Sequence, residues 1–314
     1  MFSNVNHKCR LIGLLLFAIC QIAHHNSSSG NHQRLQQTRL APTPIPCHSH
    51  NDFWQRVPLA SALEVGCTSV EADVWAFEGQ LLVAHKRDSL SPRLTLQSLY
   101  LDPLYRILAD KNNDQEDSGR PRGVYDIDPL QELVLLIDVE ACPQRAWPLL
   151  SAALQPLRER KWLTISENGT LTQGPIMVLV TGSLPAYLVE SNIETASQGV
   201  FLDAPLLEID SGKYNSPNAY WASTSHRTLL DSAYRDRRHR ASREEVETYI
   251  KHAIDLAHAR SLKARCWGLS RSGFSRPDDT WPKLMALGMD VVNVDNLAAF
   301  REAWVHLHPT ARKD

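Results

Sequence analysis

The sequence predicts an α/β protein folded as a (β/α)8 TIM barrel. Short apolar runs alternate with longer amphipathic segments, and eight such runs fit into roughly 260 residues, the usual size of this fold. Several of the runs also end in charged or polar side chains, as strands do at the working face of such a barrel. A doubly wound open sheet is the alternative, but no G-x-G-x-x-G or Walker pattern follows the first strand.

The eight strands are predicted from short apolar runs. The run 133–138 is almost continuously apolar, which is typical of a strand that is buried on both faces of a parallel sheet. Residues 80–85 form an additional short strand, joined to its predecessor by a turn at 77–79 that suits a hairpin. The predicted barrel strands are 45–48, 68–75, 133–138, 176–180, 199–202, 219–223, 263–269 and 290–294.

The helices are predicted from apolar residues spaced three and four apart. Gly66 and Gly288 end two of them, and Ser242 with Glu245 forms a capping box at the start of a third. The predicted helices are 59–65, 96–108, 144–160, 184–192, 242–260, 279–287 and 297–306, with Pro148 and Pro156 expected to bend or divide the third.

The first 43 residues are predicted to lie outside the barrel, which we place at 44–310. Lys8 and Arg10 precede an apolar core of 13 residues, too short for a comfortable membrane span of about 20. Residues 1–25 therefore suggest a secretory signal peptide, with an uncleaved anchor as the alternative, and 26–43 a flexible lead-in. The segment 1–25 leads us to expect a secreted or extracellular protein, and Asn168 begins a glycosylation sequon that would be used only if the chain enters the secretory pathway.

Composition and charge limit the classes of partner. Hydrophobic residues make up 43% of the 314 residues and the net charge is −2, which gives no reason to expect a nucleic-acid partner. The basic stretch 234–240 is interpreted as a solvated loop, with contact to an anionic surface such as a membrane as the minor alternative. No protein partner is inferred.

Four cysteines lie in the predicted barrel and show no C-x-x-C spacing, which argues against a zinc site. Buried free thiols are the favoured interpretation. A secreted location would permit a disulfide, but the spacing does not say whether one forms. The four are Cys47, Cys67, Cys142 and Cys266.

Acidic residues at predicted strand ends suggest a metal site. Glu71 and Asp73 are two apart on the second strand and so share a face, while Asp138 ends the next strand along. Three carboxylates around one point repel each other unless a cation neutralises them, and oxygen ligands favour Mg²⁺, with Ca²⁺ also acceptable. The alternative is a set of salt bridges to barrel arginines or lysines, which we disfavour because these strands carry no basic residue near the acids.

Two histidines suggest acid–base chemistry beside that ion. His48 ends the first strand and His85 ends the hairpin strand. One imidazole can take a proton from the attacking group while the other gives one to the leaving group, and a divalent ion can polarise a phosphoryl oxygen. These are the parts needed to cleave a phosphodiester.

Other polar residues near these strand ends are weaker candidates. His50 is interpreted as a neighbour-orienting or structural residue, and Glu140 follows Asp138 by two positions. Asn51 and Asp52 are expected to hold the loop after the first strand through turn hydrogen bonds. Trp267 could form an apolar wall for a lipid or glycerol portion or pack in the rim. At the eighth strand end, Asn293 is a weak substrate-binding candidate, and an N-cap is the alternative for Asp295 or Asn296.

These motifs resemble a known superfamily. The pattern His48-x-x-Asn51-Asp52, the segment Val70-Glu71-Ala72-Asp73-Val74 and His85 are similar to the phospholipase-C-like phosphodiesterases, which include glycerophosphodiester phosphodiesterases and spider-venom sphingomyelinase D enzymes. Segments 48–52, 69–75 and 96–104 most resemble the fungal altered inheritance of mitochondria protein 6 family.

The resemblance implies a barrel with one Mg²⁺-type ion, with Glu71, Asp73 and Asp138 as its carboxylates and His48 and His85 as the acid/base pair. It implies hydrolase or lyase activity on a lipid-derived or glycerol phosphodiester. The sequence departs from the superfamily at Glu140, where an acid-x-Lys motif usually places a phosphate-binding lysine. That departure favours, as the alternative, a barrel that binds phospholipid or phosphate without cleaving it.

Overall fold

Eight parallel strands close into a barrel in the computed structural model, which describes residues 42–113, 119–184, 192–236, 241–269 and 280–308. Neighbours around the barrel follow the order β1-β11-β10-β9-β8-β7-β4-β2, and β1 pairs with β2 to close it. β3 adds to the edge of β2 as an antiparallel hairpin partner. The strands are β1 (Ile45–Ser49), β2 (Cys67–Phe77), β3 (Gln80–Val83), β4 (Leu133–Ala141), β5 (Ile165–Glu167), β6 (Thr170–Thr172), β7 (Ile176–Gly182), β8 (Val200–Pro205), β9 (Ala219–Ser225), β10 (Lys263–Trp267) and β11 (Val291–Val294).

Helices follow most of the barrel strands. Within the described residues they are α1 (Ala60–Val65), α2 (Asp102–Asn112), α3 (Pro143–Ala153), α4 (Gln155–Glu159), α5 (Asn192–Ser197), α6 (His226–Asp236), α7 (Arg243–Ala259), α8 (Thr280–Ala286) and α9 (Leu297–Leu307). Short 3-10 turns cover Asp52–Trp54, Arg87–Ser89 and Leu206–Ser211, and a π-helical turn at Gln97–Leu101 leads into α2. Among the described residues, no helix combines the length and the hydropathy that a membrane span requires.

Strand alternation divides the core into two layers. On β4, Val134 and Leu136 face the barrel interior with residues such as Phe201 and Trp221, whereas Leu135 and Ile137 pack outward against the helices. Because every second residue points inward, the polar residues that continue the inward series of β2 and β4 reach the interior at the C-terminal mouth. The fold thereby determines where the candidate site lies.

Most predicted elements are confirmed, with differences that have physical causes. The predicted helix at 144–160 divides at Leu154, where Pro156 enters the first turn of α4, while Pro148 is accommodated inside α3. The helix α6 was not predicted although Leu229, Leu230 and Ala233 have helical spacing, and the hairpin β5–β6 was not predicted because its strands have only three residues each. The predicted helix 184–192 lies mainly outside the described residues, as does the segment 1–41.

The interpretation of four buried free thiols is confirmed for Cys266 alone, because two of the others form a disulfide and Cys142 is exposed. Cys47 on β1 and Cys67 at the start of β2 form a disulfide, and both are fully buried. β1 and β2 are adjacent strands, and the sequence could not show that these two positions meet. Cys142 and Cys266 are free.

Asn168 lies at the exposed turn of the β5–β6 hairpin. Its φ of 51° and the φ of 78° at Gly169 place both residues in the left-handed region that a tight hairpin turn requires. The hairpin precedes β7, so it is remote from the C-terminal mouth of the barrel. A glycan there would leave the candidate site open.

Candidate active site

Three carboxylates meet at the mouth of the barrel. β2 and β4 pair in register so that Asp73 lies opposite Asp138, and Glu71 lies two residues deeper on β2. One oxygen from each of these side chains lies within 4.8 Å of one oxygen of the other two. The structure therefore brings together the three residues that the sequence predicted as metal ligands.

The three carboxylates differ in their electrostatics. Burial, with the neighbouring charge of Glu71, raises the pKa of Asp138 to about 7 and that of Asp73 to about 6. Burial alone would also raise the pKa of Glu71, but His48, Arg265 and His50 overcome it and lower that pKa to about 2. Glu71 thus stays ionised while the two aspartates hold protons more readily, as expected when like charges are crowded together.

The carboxylate of Asp138 lies against a glycine. Gly182, at the end of β7, has a φ of 78°, and a Cβ at this position would lie 2.0 Å from Asp138 Oδ1 and 2.7 Å from the carbonyl oxygen of Val139. Only glycine provides both the backbone conformation and the space. The end of β7 is therefore shaped around this carboxylate.

His48 lies beneath the carboxylates and is fully buried. Its Nδ1 is 3.1 Å from Ser69 Oγ, and its Nε2 is 3.6 Å from Glu71 Oε2, too far for a hydrogen bond. Burial, with the charge of Arg265, lowers its pKa to about 4, so the ring is neutral at neutral pH. The Nε2 has no hydrogen-bond partner in the described structure.

His85 lies on the opposite, open side of the carboxylates, with its side chain 46% exposed. Its Nδ1 is 2.9 Å from Asp73 Oδ2, and Trp54 packs edge-on against the ring with centroids 5.5 Å apart. Glu140, a weaker candidate, is 4.0 Å from the same Nδ1. The Asp73 contact fixes the ring and leaves Nε2 facing away from this carboxylate.

His50 is better connected than the sequence indicated. Its Nδ1 is 2.6 Å from Asp295 Oδ1, and its Nε2 is 3.7 Å from Glu71 Oε2. Burial opposes protonation of His50, but the bond to Asp295 and the charges of Glu71 and Asp295 raise its pKa. The raised pKa favours the protonated ring beside Glu71, and the contact with Asp295 ties the β1 loop to the end of β11.

The loop after β1 is held by Asp52, as the sequence predicts. Asp52 accepts hydrogen bonds from Ser49 Oγ at 2.7 Å and from the backbone N–H of Leu59 at 2.5 Å. The backbone N–H of Asn51 donates to Glu71 Oε2 at 3.1 Å. This loop therefore orients the deepest carboxylate of the site.

The strands β2 and β4 carry no basic residue, as the sequence shows, but another strand places a basic side chain near the acids. Arg265 enters the barrel interior from β10, is almost fully buried, and places Nη2 3.9 Å from Glu71 Oε1. The signal was present in the sequence: Ala264 and Cys266 are apolar and flank an arginine on a predicted strand, which puts Arg265 on the other face. The sequence could not show that this face points at β2.

The two remaining candidates, Asn293 and Trp267, differ in burial. Asn293 is buried, and its Oδ1 accepts from Arg265 Nε and Nη2 at 3.1 and 2.8 Å. Trp267 follows Arg265 by two positions on β10, so it lies on the inward side at the mouth, and it is 45% exposed rather than packed in the rim. Asn296 caps α9 through Ala299 N at 3.1 Å.

The donor set fits a hard divalent cation. Three carboxylate oxygens from two adjacent strands converge, which matches the oxygen ligands that Mg²⁺ and Ca²⁺ prefer. A second combination, Asp73 with His85 and Glu140, shares one carboxylate with the first. It includes a nitrogen ligand and a more exposed position, so it suits a hard ion less well.

Comparison with known proteins agrees with this architecture. A family model described as the AIM6-like phosphodiesterase domain matches residues 37–203. Altered inheritance of mitochondria protein 6 homolog of Arthroderma benhamiae is 33% identical over 265 residues, 82% of each chain. Altered inheritance of mitochondria protein 6 of Eremothecium gossypii is 31% identical over 292 residues, 90% of this chain and 75% of that one. The protein of the same name from Saccharomyces cerevisiae strain S288c is 32% identical over 288 residues, 81% of this chain and 69% of that one. The matched region contains β1, β2 and β4 with both predicted catalytic histidines and all three carboxylates, and on these grounds the chain belongs to the AIM6-like phosphodiesterase family.

Proposed function

We propose that this protein is a divalent-metal-dependent phosphoric diester hydrolase or lyase. Its substrate class is a lipid-derived or glycerol phosphodiester, and its cofactor is Mg²⁺ or Ca²⁺. The single observation that supports this most strongly is the convergence of Glu71, Asp73 and Asp138 at the barrel mouth, with His48 below them and His85 above.

The side chains suit complementary proton transfers. His48 is neutral and its Nε2 has no hydrogen-bond donor in the described structure, so it can accept a proton from the attacking hydroxyl or water. His85 is held by Asp73 through Nδ1, which orients the ring so that Nε2 can give a proton to the leaving oxygen. When bound to the three carboxylates, the metal ion polarises a phosphoryl oxygen and offsets its charge.

The attacking group decides between hydrolase and lyase. Water as nucleophile gives a phosphomonoester, whereas an internal hydroxyl of the substrate gives a cyclic phosphate. Phosphorus NMR of the products separates these two outcomes.

Turnover of a panel of phosphodiesters with Mg²⁺ tests the proposal. We expect His48→Ala and His85→Ala each to lower the rate by about 10²- to 10⁴-fold, the usual contribution of general acid–base catalysis. His252→Ala, on the exposed face of α7, is the matched control and should keep full activity. Metal-dependent turnover that survives both site substitutions would exclude the mechanism.

A barrel that binds a phospholipid or phosphate without cleaving it is the second candidate. The observation that favours it is Glu140, which places a carboxylate rather than a cation 4.0 Å from His85. This function predicts that the wild type and the histidine variants bind phospholipid vesicles saturably and release no cleavage product.

We further propose a secretory-pathway location and peripheral contact with a lipid surface. The buried Cys47–Cys67 disulfide supports an oxidising compartment. Trp54 and Trp267 are both exposed beside the mouth, where indole rings would contact an interfacial substrate.

A further inference from the structure

A buried guanidinium lies beneath the three carboxylates. Arg265 donates from Nε and Nη2 to Asn293 Oδ1, and its Nη1 is 3.4 Å from Asp203 Oδ2. Its guanidinium carbon lies 5.3 Å from the centre of the Trp221 ring. The group is therefore fixed on three sides by β11, β8 and β9.

The fourth side of Arg265 faces the metal-binding end of the barrel. Nη2 lies 3.9 Å from Glu71 Oε1, while the other oxygen of Glu71 accepts the N–H of Asn51. Among the residues that the structure describes, Arg265 is the one arginine or lysine that forms an ion pair with a carboxylate of this cluster. Both side chains are less than a tenth exposed, so water screens their interaction weakly.

The charge of Arg265 is divided between two acids. Asp203 is also buried, and its second oxygen accepts from Ser223 Oγ at 2.5 Å. The negative charge of Asp203 thus offsets part of the electrostatic effect that Arg265 has on Glu71. Any change at Asp203 alters how much of the charge of Arg265 acts on Glu71.

We propose that Arg265 is a positioning residue that acts as the standing counter-charge of the metal site. It orients Glu71 and stabilises the carboxylate cluster when no ion is bound, and it opposes the charge of an incoming divalent cation. This inference rests on the proposed function, because it takes the three carboxylates to be the metal ligands.

The proposal predicts changes of opposite sign in stability and metal affinity. Arg265→Gln removes the charge, so the metal-free protein should melt at a lower temperature while Mg²⁺ binds about tenfold more tightly, the size of a modest charge–charge coupling. Arg265→Lys keeps the charge and should keep the wild-type affinity within about threefold. A purely structural arginine would lower the stability and leave the affinity unchanged or lower.

Asp203→Asn supplies the test with a variant of the same shape. It leaves the full charge of Arg265 to act on Glu71 and should weaken Mg²⁺ binding by about threefold or more. Isothermal titration calorimetry at pH 8 measures the Mg²⁺ affinity of the wild type and of each variant, and circular dichroism melting measures the stability of the metal-free proteins. Arg158→Gln, a remote arginine that bonds Gln198 O at 2.9 Å, is the control and should not change the affinity.

The outcomes separate this inference from the proposed function. A wild-type protein that binds no Mg²⁺ overturns both. A wild type that binds Mg²⁺ while Arg265→Gln binds with equal or lower affinity, or Asp203→Asn with equal or higher affinity, overturns the role of Arg265 alone.

Discussion

The two candidate catalytic histidines have opposite environments although the sequence presents them alike. His48 is fully buried with a pKa of about 4, whereas His85 is nearly half exposed and bonded to Asp73. Sequence position identified both because each ends an apolar run. It could not show their burial, since this depends on side chains that β9 and β10 bring across the barrel, such as Trp221.

A substitution at Gly182 tests whether the carboxylate of Asp138 takes part in Mg²⁺ binding. In Gly182→Ala the new Cβ would displace the Asp138 carboxylate, so the Mg²⁺-induced rise in melting temperature should be lost. We also expect the free energy of unfolding to fall by about 2–4 kcal/mol, from backbone strain and overpacking. Thermal and urea denaturation with and without Mg²⁺ measure the two effects.

Gly169→Ala is the matched control because Gly169 has the same φ of 78° with no atom within 4 Å of its Cβ position. It should cost about 1–2 kcal/mol from strain alone and leave the Mg²⁺ response intact. Equal Mg²⁺ responses in the two alanine variants would show that the Asp138 carboxylate is not needed.

Protons and the metal ion should compete for the same carboxylates. The pKa of Asp138 is raised to about 7 and that of Asp73 to about 6, so both take up protons as the pH falls from 8 to 5.5. Protonated oxygens bind a cation poorly, so the Mg²⁺ affinity should be high at pH 8 and fall steadily toward pH 5.5. Calorimetric titration across this range measures it, and a flat or inverse dependence would contradict the assignment.

At the scale of elements, strand pairing supplies what the sequence could not. The alternation on β2 predicted that Glu71 and Asp73 share a face, and the register of β2 with β4 then places Asp138 beside Asp73. Arg265 was missed because β10 is not adjacent to β2, and only closure of the barrel directs it at Glu71. The local sequence pattern shows on which face of a strand a residue lies, but it does not show which residue it contacts across the barrel.

The disulfide between β1 and β2 should stabilise the strands that present His48 and Glu71. It closes a loop with a sequence separation of 20, so replacing both Cys47 and Cys67 with alanine should lower the free energy of unfolding by about 3 kcal/mol. Urea denaturation under non-reducing conditions measures this loss. Cys142→Ser, at an exposed free thiol, should cost little.

Peptide mapping provides a second measurement of the disulfide. When the protein is unfolded without reductant and then alkylated, the peptides that contain Cys47 and Cys67 should remain unlabelled and joined. Labelling of both would show that the bond does not form and would remove the support for an oxidising compartment.

At the scale of the molecule, the barrel follows from the strand count and the buried run at Leu133–Ile137, and both are confirmed. The carboxylate site follows because the fold gathers strand ends at one face. Three features could not be predicted from the sequence, because each depends on a distance between residues far apart in the chain. They are the disulfide, the Gly182–Asp138 contact and the contact of Arg265 with Glu71.

The position of a bound metal most directly tests whether the three carboxylates form the metal site. Crystals grown with Mn²⁺ in place of Mg²⁺ should give one anomalous peak between the oxygens of Glu71, Asp73 and Asp138, with His48 and His85 on opposite sides of it. A peak elsewhere, or none at saturating Mn²⁺, would contradict the assignment of this barrel mouth as a metal-dependent phosphodiesterase site.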